Sequence, residues 1–271
     1  MLLTGIGPVI AWRRAGWRTL KRSFAWPLVW GLSGAALLVV AGWRGWGFVS
    51  SVSGWAVVSF GLIAFSLATI VLEFYRGMRA RQLMVGEGAG EALARLISKN
   101  RRRYGGYIVH LGVLMIFVAI TTTSVFRAER QVTLAQGDEF TMAGYTVRYE
   151  GLEDRDTPHV LHVMARMGVF EDGRRIVTLK PEKRFYKKPE QPSTEVAIWS
   201  RMATDLYLVL GGVDEDTRRV TILAYLNPLI NLLWWGGLVM ALGTGVAAWP
   251  SRAAVRAPAY APESGSEQVA R

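Results

Sequence analysis

Residues 100–126 read NRRRYGGYIVHLGVLMIFVAITTTSVF: an asparagine, three arginines, a Tyr-Gly-Gly-Tyr phrase, and then an apolar run whose one ionisable side chain is His110. A hydrocarbon core about 30 Å thick is crossed by roughly 20 mostly apolar helical residues, and the stretch 106–126 meets that length. Three others do as well: 26–43, 52–74 and 226–249. Pro27 stands near the start of the first, where a proline costs little because the first helical turn lacks intrahelical N–H partners. Hydrophobic residues make up 51% of the 271 and the mean hydropathy is +0.21, too apolar for one soluble domain of this length. The sequence therefore predicts an α-helical transmembrane protein with four spans.

Working outward from the third span, basic residues set the orientation, because Lys and Arg flanking a span in short loops tend to stay cytoplasmic. Arg76, Arg79, Arg81, Arg95, Lys99, Arg101, Arg102 and Arg103 lie between the second and third spans, and Arg13, Arg14, Arg18, Lys21 and Arg22 precede the first. The loop between the first two spans offers only Arg44. Both basic segments are expected inside. The expected organisation is a cytoplasmic segment 1–25, two transmembrane helices in 26–74, a cytoplasmic basic loop 75–104, a transmembrane helix 105–126 carrying His110, an external β domain 127–225, a transmembrane helix 226–249, and a flexible cytoplasmic tail 250–271. The opening residues 1–12 carry no positive segment ahead of their apolar run and no small-residue cleavage site, so no signal peptide is expected. Trp26, Trp43, Trp46 and Trp249 fall near expected span ends, where amphipathic rings favour the interface.

Between the third and fourth spans the pattern changes to alternation and β-branched runs, at 132–134, 145–149, 160–166, 176–179, 195–199, 206–210 and 220–224, separated by polar turns. Asp172-Gly173 between two such runs is a hairpin signal. The expected fold is an extracytoplasmic all-β domain between spans three and four.

The net charge of +11 sits mostly in the expected cytoplasmic flanks, which accounts for it without nucleic acid. Cysteine is absent, so any thiol chemistry belongs to a partner. No internal repeat, phosphate-binding loop, paired metal-ligand spacing or nucleophile elbow stands out. His159 and His162, three apart in a strand-like stretch, point to opposite faces and make poor joint ligands. The run 180–188 is locally basic and includes Phe185 and Tyr186.

His110 is the candidate for chemistry. It lies about one helical turn past the expected cytoplasmic interface, roughly 6 to 9 Å inside. An ionisable side chain at membrane depth is costly unless satisfied, and a neutral imidazole nitrogen is a good metal ligand. A haem iron would satisfy it; so would a carbonyl or hydroxyl on a neighbouring helix. Gly106, four residues earlier on the same face, leaves room for a flat macrocycle or for a close helix.

Several phrases resemble the CcmF/NrfE family of cytochrome c biogenesis haem lyase large subunits. They are Gly5-Ile6-Gly7-Pro8 with Trp12-Arg13, the stretch 100–112 quoted above, Pro181-Glu182-Lys183-Arg184-Phe185-Tyr186, Thr194-Glu195-Val196-Ala197-Ile198, Asp205-Leu206-Tyr207-Leu208-Val209-Leu210-Gly211, and Asn227-Pro228-Leu229. They follow the family's order. The resemblance implies that His110, in its Tyr-Gly-Gly-x-x-x-His context, is an axial ligand to the iron of a haem b. The family's tryptophan-rich haem-handling motif and flanking external histidines are absent. Trp234-Trp235-Gly236-Gly237 falls within the last expected span and lacks the motif's acidic residue. The sequence therefore resembles the C-terminal portion of a family member only, as a split subunit or a fragment.

What the resemblance implies is a subunit of the haem lyase that joins haem covalently to apocytochrome c at the periplasmic face of a bacterial inner membrane. Its active site is expected to be incomplete in this chain, and its catalytic residues are unknown. The implied partners are a chain supplying the N-terminal CcmF-like helices, the tryptophan-rich motif and the second haem ligand, a periplasmic haem chaperone (CcmE-like), an apocytochrome-presenting subunit (CcmH-like), apocytochrome c and the lipid membrane. The alternative is a non-catalytic membrane scaffold or transport-assembly subunit that displays a docking domain and carries no haem.

Overall fold

The computed structural model describes residues 17–44, 53–188, 190–214 and 216–250. The Gly5-Ile6-Gly7-Pro8 and Trp12-Arg13 phrases, Trp46, and the tail from 251 onward lie outside the described residues.

Helix α1 (Trp17–Trp43) starts earlier than the apolar run alone indicates, because the polar stretch around Lys21 continues the same helix. Pro27 consequently sits inside the helix and is buried, where packing on a neighbouring helix offsets the lost N–H. Helix α2 (Gly54–Val85) opens at Ser53, whose hydroxyl accepts from the Ala56 N–H. It runs well past residue 74 and stops at Gly86, whose left-handed φ of 72° lets its N–H cap the Gln82 carbonyl. A short amphipathic helix, α3 (Ala89–Lys99), follows within the expected basic loop, burying Ala92 and Leu96. Helix α4 (Arg101–Phe126) holds the quoted stretch. Helices α1, α2 and α4 are long and apolar enough to cross a membrane.

Ten strands come next: β1 (Ala128–Leu134), β2 (Glu139–Met142), β3 (Tyr145–Asp156), β4 (Val160–Glu171), β5 (Arg174–Leu179), β6 (Glu182–Lys187), β7 (Glu190–Glu195), β8 (Ala197–Ser200), β9 (Thr204–Val213) and β10 (Val220–Pro228). They form two antiparallel sheets, one ordered β1-β10-β9-β8 and the other β2-β3-β4-β6-β7, with β5 paired to one half of β4. Alternation decides the inner faces. Val147, Met167 and Val169 from one sheet meet Leu208, Leu210, Ile222 and Ala224 from the other, all completely buried. Each such side chain contributes roughly 1.5–3 kcal/mol relative to exposure, except the smaller alanine. At the β4–β5 hairpin Asp172 (φ 49°) and Gly173 (φ 75°) both take positive φ, as a two-residue type I′ turn requires.

The last helix, α5 (Leu232–Ala248), begins later than the apolar run suggests. Leu226, Asn227 and Pro228 pair with Leu206, Asp205 and Thr204 in the sheet, so backbone pairing claims them for β10. Leu229 turns the chain with φ 55°, leaving an apolar helix of 17 residues, about 25 Å long at 1.5 Å per residue.

Helices α4 and α5 are antiparallel and nearly touch. A Cβ on Gly112 would lie 2.5 Å from the Gly236 carbonyl oxygen, one on Gly236 2.6 Å from that of Gly112, and one on Gly105 or Gly243 2.6 Å from the backbone nitrogen of Ala247 or Val109. Two glycines seven residues apart on each helix thus form one stripe, the close approach that membrane helices use in place of hydrophobic burial. The pair is closed at one end by Arg101, which donates to the Pro250 carbonyl at 3.0 Å, and at the other by Thr123, which donates to the Pro228 carbonyl at 3.2 Å.

Candidate functional site

His110 lies on α4, and its position follows from what the other faces of that helix do. Gly105, Gly112 and Ile116 face α5, while Tyr104, Tyr107 and Leu114 pack with Ile70, Phe74 and Leu96. At 100° per residue, His110 and Gly106 point into a third sector between those two faces. The space there is open: a Cβ on Gly106 would meet nothing within 4 Å. The imidazole is partly buried, and its Nδ1 is buried with no hydrogen-bond partner among the described residues. Burying such a nitrogen unpaired costs about 1–3 kcal/mol, and the hydroxyl of Ser66 on α2 is left in the same condition.

One turn toward Arg101 lies a polar cluster with its own partners. Arg103 donates to Tyr107 Oη at 3.0 Å and to Glu73 Oε2 at 2.5 Å, and Tyr107 donates to the same Glu73 oxygen at 3.2 Å. Phe74, Tyr104 and Tyr107 pack ring to ring at 5.1–6.0 Å, with the Arg103 guanidinium over both tyrosines. Sequence reasoning missed this group. The available signal was Glu73, an acid inside an expected span, which is rare unless paired or functional. Beyond α2, Glu87 is held by Arg81 at 2.8 Å and Arg95 at 2.9 Å. The Arg81 hydrogen bond leads the causes that keep its carboxyl below the ordinary range.

His159 and His162 are not brought together. The His159 carbonyl accepts from the Lys187 N–H, while His162 Nδ1 pairs with Glu182. Glu182 also takes two hydrogen bonds from Arg184, which reaches on to Glu195 at 3.2 Å. Burial opposes ionisation of Glu182, but the hydrogen bonds from Arg184 and His162 outweigh it and hold the carboxyl below its usual value. The basic run 180–188 thus contains strand β6, with several of its charges paired: Lys180 with Glu153, Arg184 with Glu182, and Lys187 with Asp156. Among the described residues no group of three or more His, Asp or Glu side chains is placed to hold a metal ion.

Residues 125–228 match the family model described as the CcmF C-terminal β-sandwich. The chain matches the C-terminal portion of the CcmF/NrfE family. The cytochrome c-type biogenesis protein CycK of Bradyrhizobium diazoefficiens is 26% identical over 95% of this chain, and the probable cytochrome c-type biogenesis protein NrfE of Escherichia coli is 29% identical over 79%. The chain spans 37% of the length of either relative. A solved structure titled cytochrome c haem lyase CcmF superposes with a TM-score of 0.66 at 23% identity, covering 92% of this chain and 38% of that one. That likeness establishes the fold: apolar helices joined to a β-rich domain, as in CcmF.

Proposed function

We propose that this chain is the C-terminal part of a cytochrome c maturation haem lyase, set in the bacterial inner membrane with four spans and its β-sandwich in the periplasm. In this reading α5 is the fourth span, and the basic loop holding α3 is cytoplasmic. The observation that carries the proposal is a half-buried imidazole inside an apolar helix, His110, on the same face as the open space over Gly106. A neutral imidazole next to room for a flat ring would suit a haem b, whose iron His110 would hold together with a second ligand from a chain packed against this face of α4. When bound there, haem b supplies a one-electron couple.

The chain's own residues have separate tasks. The glycine stripe fixes α4 against α5 and so sets the direction in which His110 points. Tyr107, anchored by Glu73 and Arg103, stiffens the helix one turn below. The β-sandwich is the docking surface for the periplasmic haem chaperone and for the subunit that presents apocytochrome c. The bonds made are thioethers, each formed by adding a substrate cysteine S–H across a haem vinyl group. The thiols are the substrate's, since this chain contains no cysteine.

In cells whose native copy is deleted, His110→Ala is expected to abolish accumulation of haem-stained c-type cytochromes while the chain itself remains in the membrane at normal level. Normal cytochrome c maturation with His110→Ala would remove the haem-ligand assignment and leave a scaffold.

A further inference from the structure

The short turn between β8 and β9 is bound to the start of α5 more tightly than a surface turn needs to be. Leu229 N–H donates to the Ala203 carbonyl at 2.7 Å, and Asn231 Nδ2 donates to the Arg201 carbonyl at 2.5 Å and to Asp205 Oδ1 at 2.9 Å. Asp205 is 4% exposed, so the lock is anchored on a buried carboxylate. The residues it holds face outward: Met202 is 83% exposed, and Trp234 and Trp235 on the first turn of α5 are 73% and 52% exposed.

Helix lengths give the height of this turn. Arg101 and Pro250 are hydrogen-bonded, so α4 and α5 are level at that end. Leu232, at the far end of a 17-residue helix, stands about 25 Å above it, and Thr123 on α4 about 33 Å, at 1.5 Å per residue. Segment 229–231 lies between them, because Thr123 holds the Pro228 carbonyl just before it. A hydrocarbon core is about 30 Å thick, so counting from the arginines at 101–103 its second boundary falls at the height of this segment and of the turn locked to it. Tilt shortens both projections and moves the turn deeper.

Resting on the assignment of α4 and α5 as spans, we propose that the 201–203 turn seats in the outer lipid headgroup layer, with Met202 directed at the acyl boundary and Trp234 and Trp235 beside it in the interfacial belt. A single exposed methionine on a soluble domain calls for no explanation; one locked at this height does. An amphipathic ring or flexible thioether is favoured there, and Arg201, stacked on Trp199 at 4.7 Å and paired with Glu171 at 2.9 Å, marks the polar side of the same turn. The contact would fix the tilt of the sandwich relative to the membrane, and it compensates for the shortness of α5.

The absence of cysteine from the chain makes the test direct. Nitroxide labels are placed singly at Met202→Cys, at Leu238→Cys on α5, and at Thr217→Cys beyond the opposite end of β9, in the chain purified with its membrane partners into phosphatidylethanolamine/phosphatidylglycerol nanodiscs. Collision with oxygen and with a water-soluble nickel chelate is then measured. The expected result is an oxygen-to-nickel ratio at 202 several-fold above that at 217 and below that at 238. A ratio at 202 equal to that at 217, with 238 in lipid, overturns the proposal and leaves the spans intact. Shielding of 202 from both reagents overturns it in favour of a protein neighbour. An aqueous signal at 238 overturns the spanning assignment itself.

Discussion

The β-sandwich and the helices solve the same problem with different completeness. In the sandwich, inner side chains from both sheets reach zero exposure, and the most buried carboxylate pair member, Glu182, has His162 and Arg184 as partners. The helices leave large apolar side chains such as Trp30, Leu37 and Leu242 at least 60% exposed, and the imidazole of His110 is left with an unanswered buried nitrogen. One region closes on itself; the other leaves apolar surface that, in the proposed reading, lipid and a further chain would cover. Function is to be sought where closure is missing, and stability where it is complete.

The strongest way to break this contrast is to attack the helix pair. Gly112→Leu places side-chain atoms where a Cβ alone would already lie 2.5 Å from the Gly236 carbonyl, so α4 and α5 must separate. A loss on the order of 3 kcal/mol is expected, read as a lowered midpoint for the chain in detergent, with the sandwich still protease-resistant. Collapse of both regions together would show that the sandwich depends on the helix pair.

The converse substitution is Leu208→Ala in the dry core, where exposure is zero. It is expected to cost about 3 kcal/mol by cavity formation, seen in thermal unfolding of the β domain, with helix content unchanged. A cost under about 1 kcal/mol would mean that the core collapses around the gap.

A smaller effect sharpens the polar half of the comparison. Glu182 has a depressed pKa in the folded state, so its ionised form favours folding. That contribution is fully present above the ordinary glutamate value of 4.5 and is lost as pH falls through the lower folded value. Glu182→Gln should therefore flatten the acid side of the stability profile, at a cost of about 1 kcal/mol near neutrality. An unchanged acid limb would place the titration elsewhere. Smallest is Gly173→Ala, which puts a Cβ at φ 75° and should destabilise the β4–β5 hairpin by up to about 1 kcal/mol, measured as faster local hydrogen exchange at Glu171 and Arg174.

Much of this was legible in the sequence where one periodicity acted alone. Strand β10 over 220–226, β3 over 145–149 and β9 over 206–210 alternate cleanly because one face meets the core, and the apolar runs in α1, α2 and α4 stand out by their length. Strand β6 was hidden because Lys183, Arg184 and Lys187 dominate its composition, and β7 because Pro192 suits only an edge such as the one it occupies. The start of α5 was misplaced because hydropathy runs unbroken from β10 into the helix, and only backbone pairing separates them. His110 was legible as a residue, and its open neighbour Gly106 as a spacing. The stripe of Gly105, Gly112, Gly236 and Gly243 was present as two seven-residue intervals, but which helix met which was a tertiary fact. Glu73 needed the fold to find Arg103 and Tyr107.

The central claim is that the open face of α4 is closed by a haem held through His110. It is tested most directly by reduced-minus-oxidised visible spectra of this chain, or of His110→Ala, purified from membranes together with the chain proposed to supply the remaining helices. The account predicts a b-type signal with the native histidine and its loss in the variant at equal recovery of both chains. A b-type signal of equal size in the variant, or none with either protein, would contradict it.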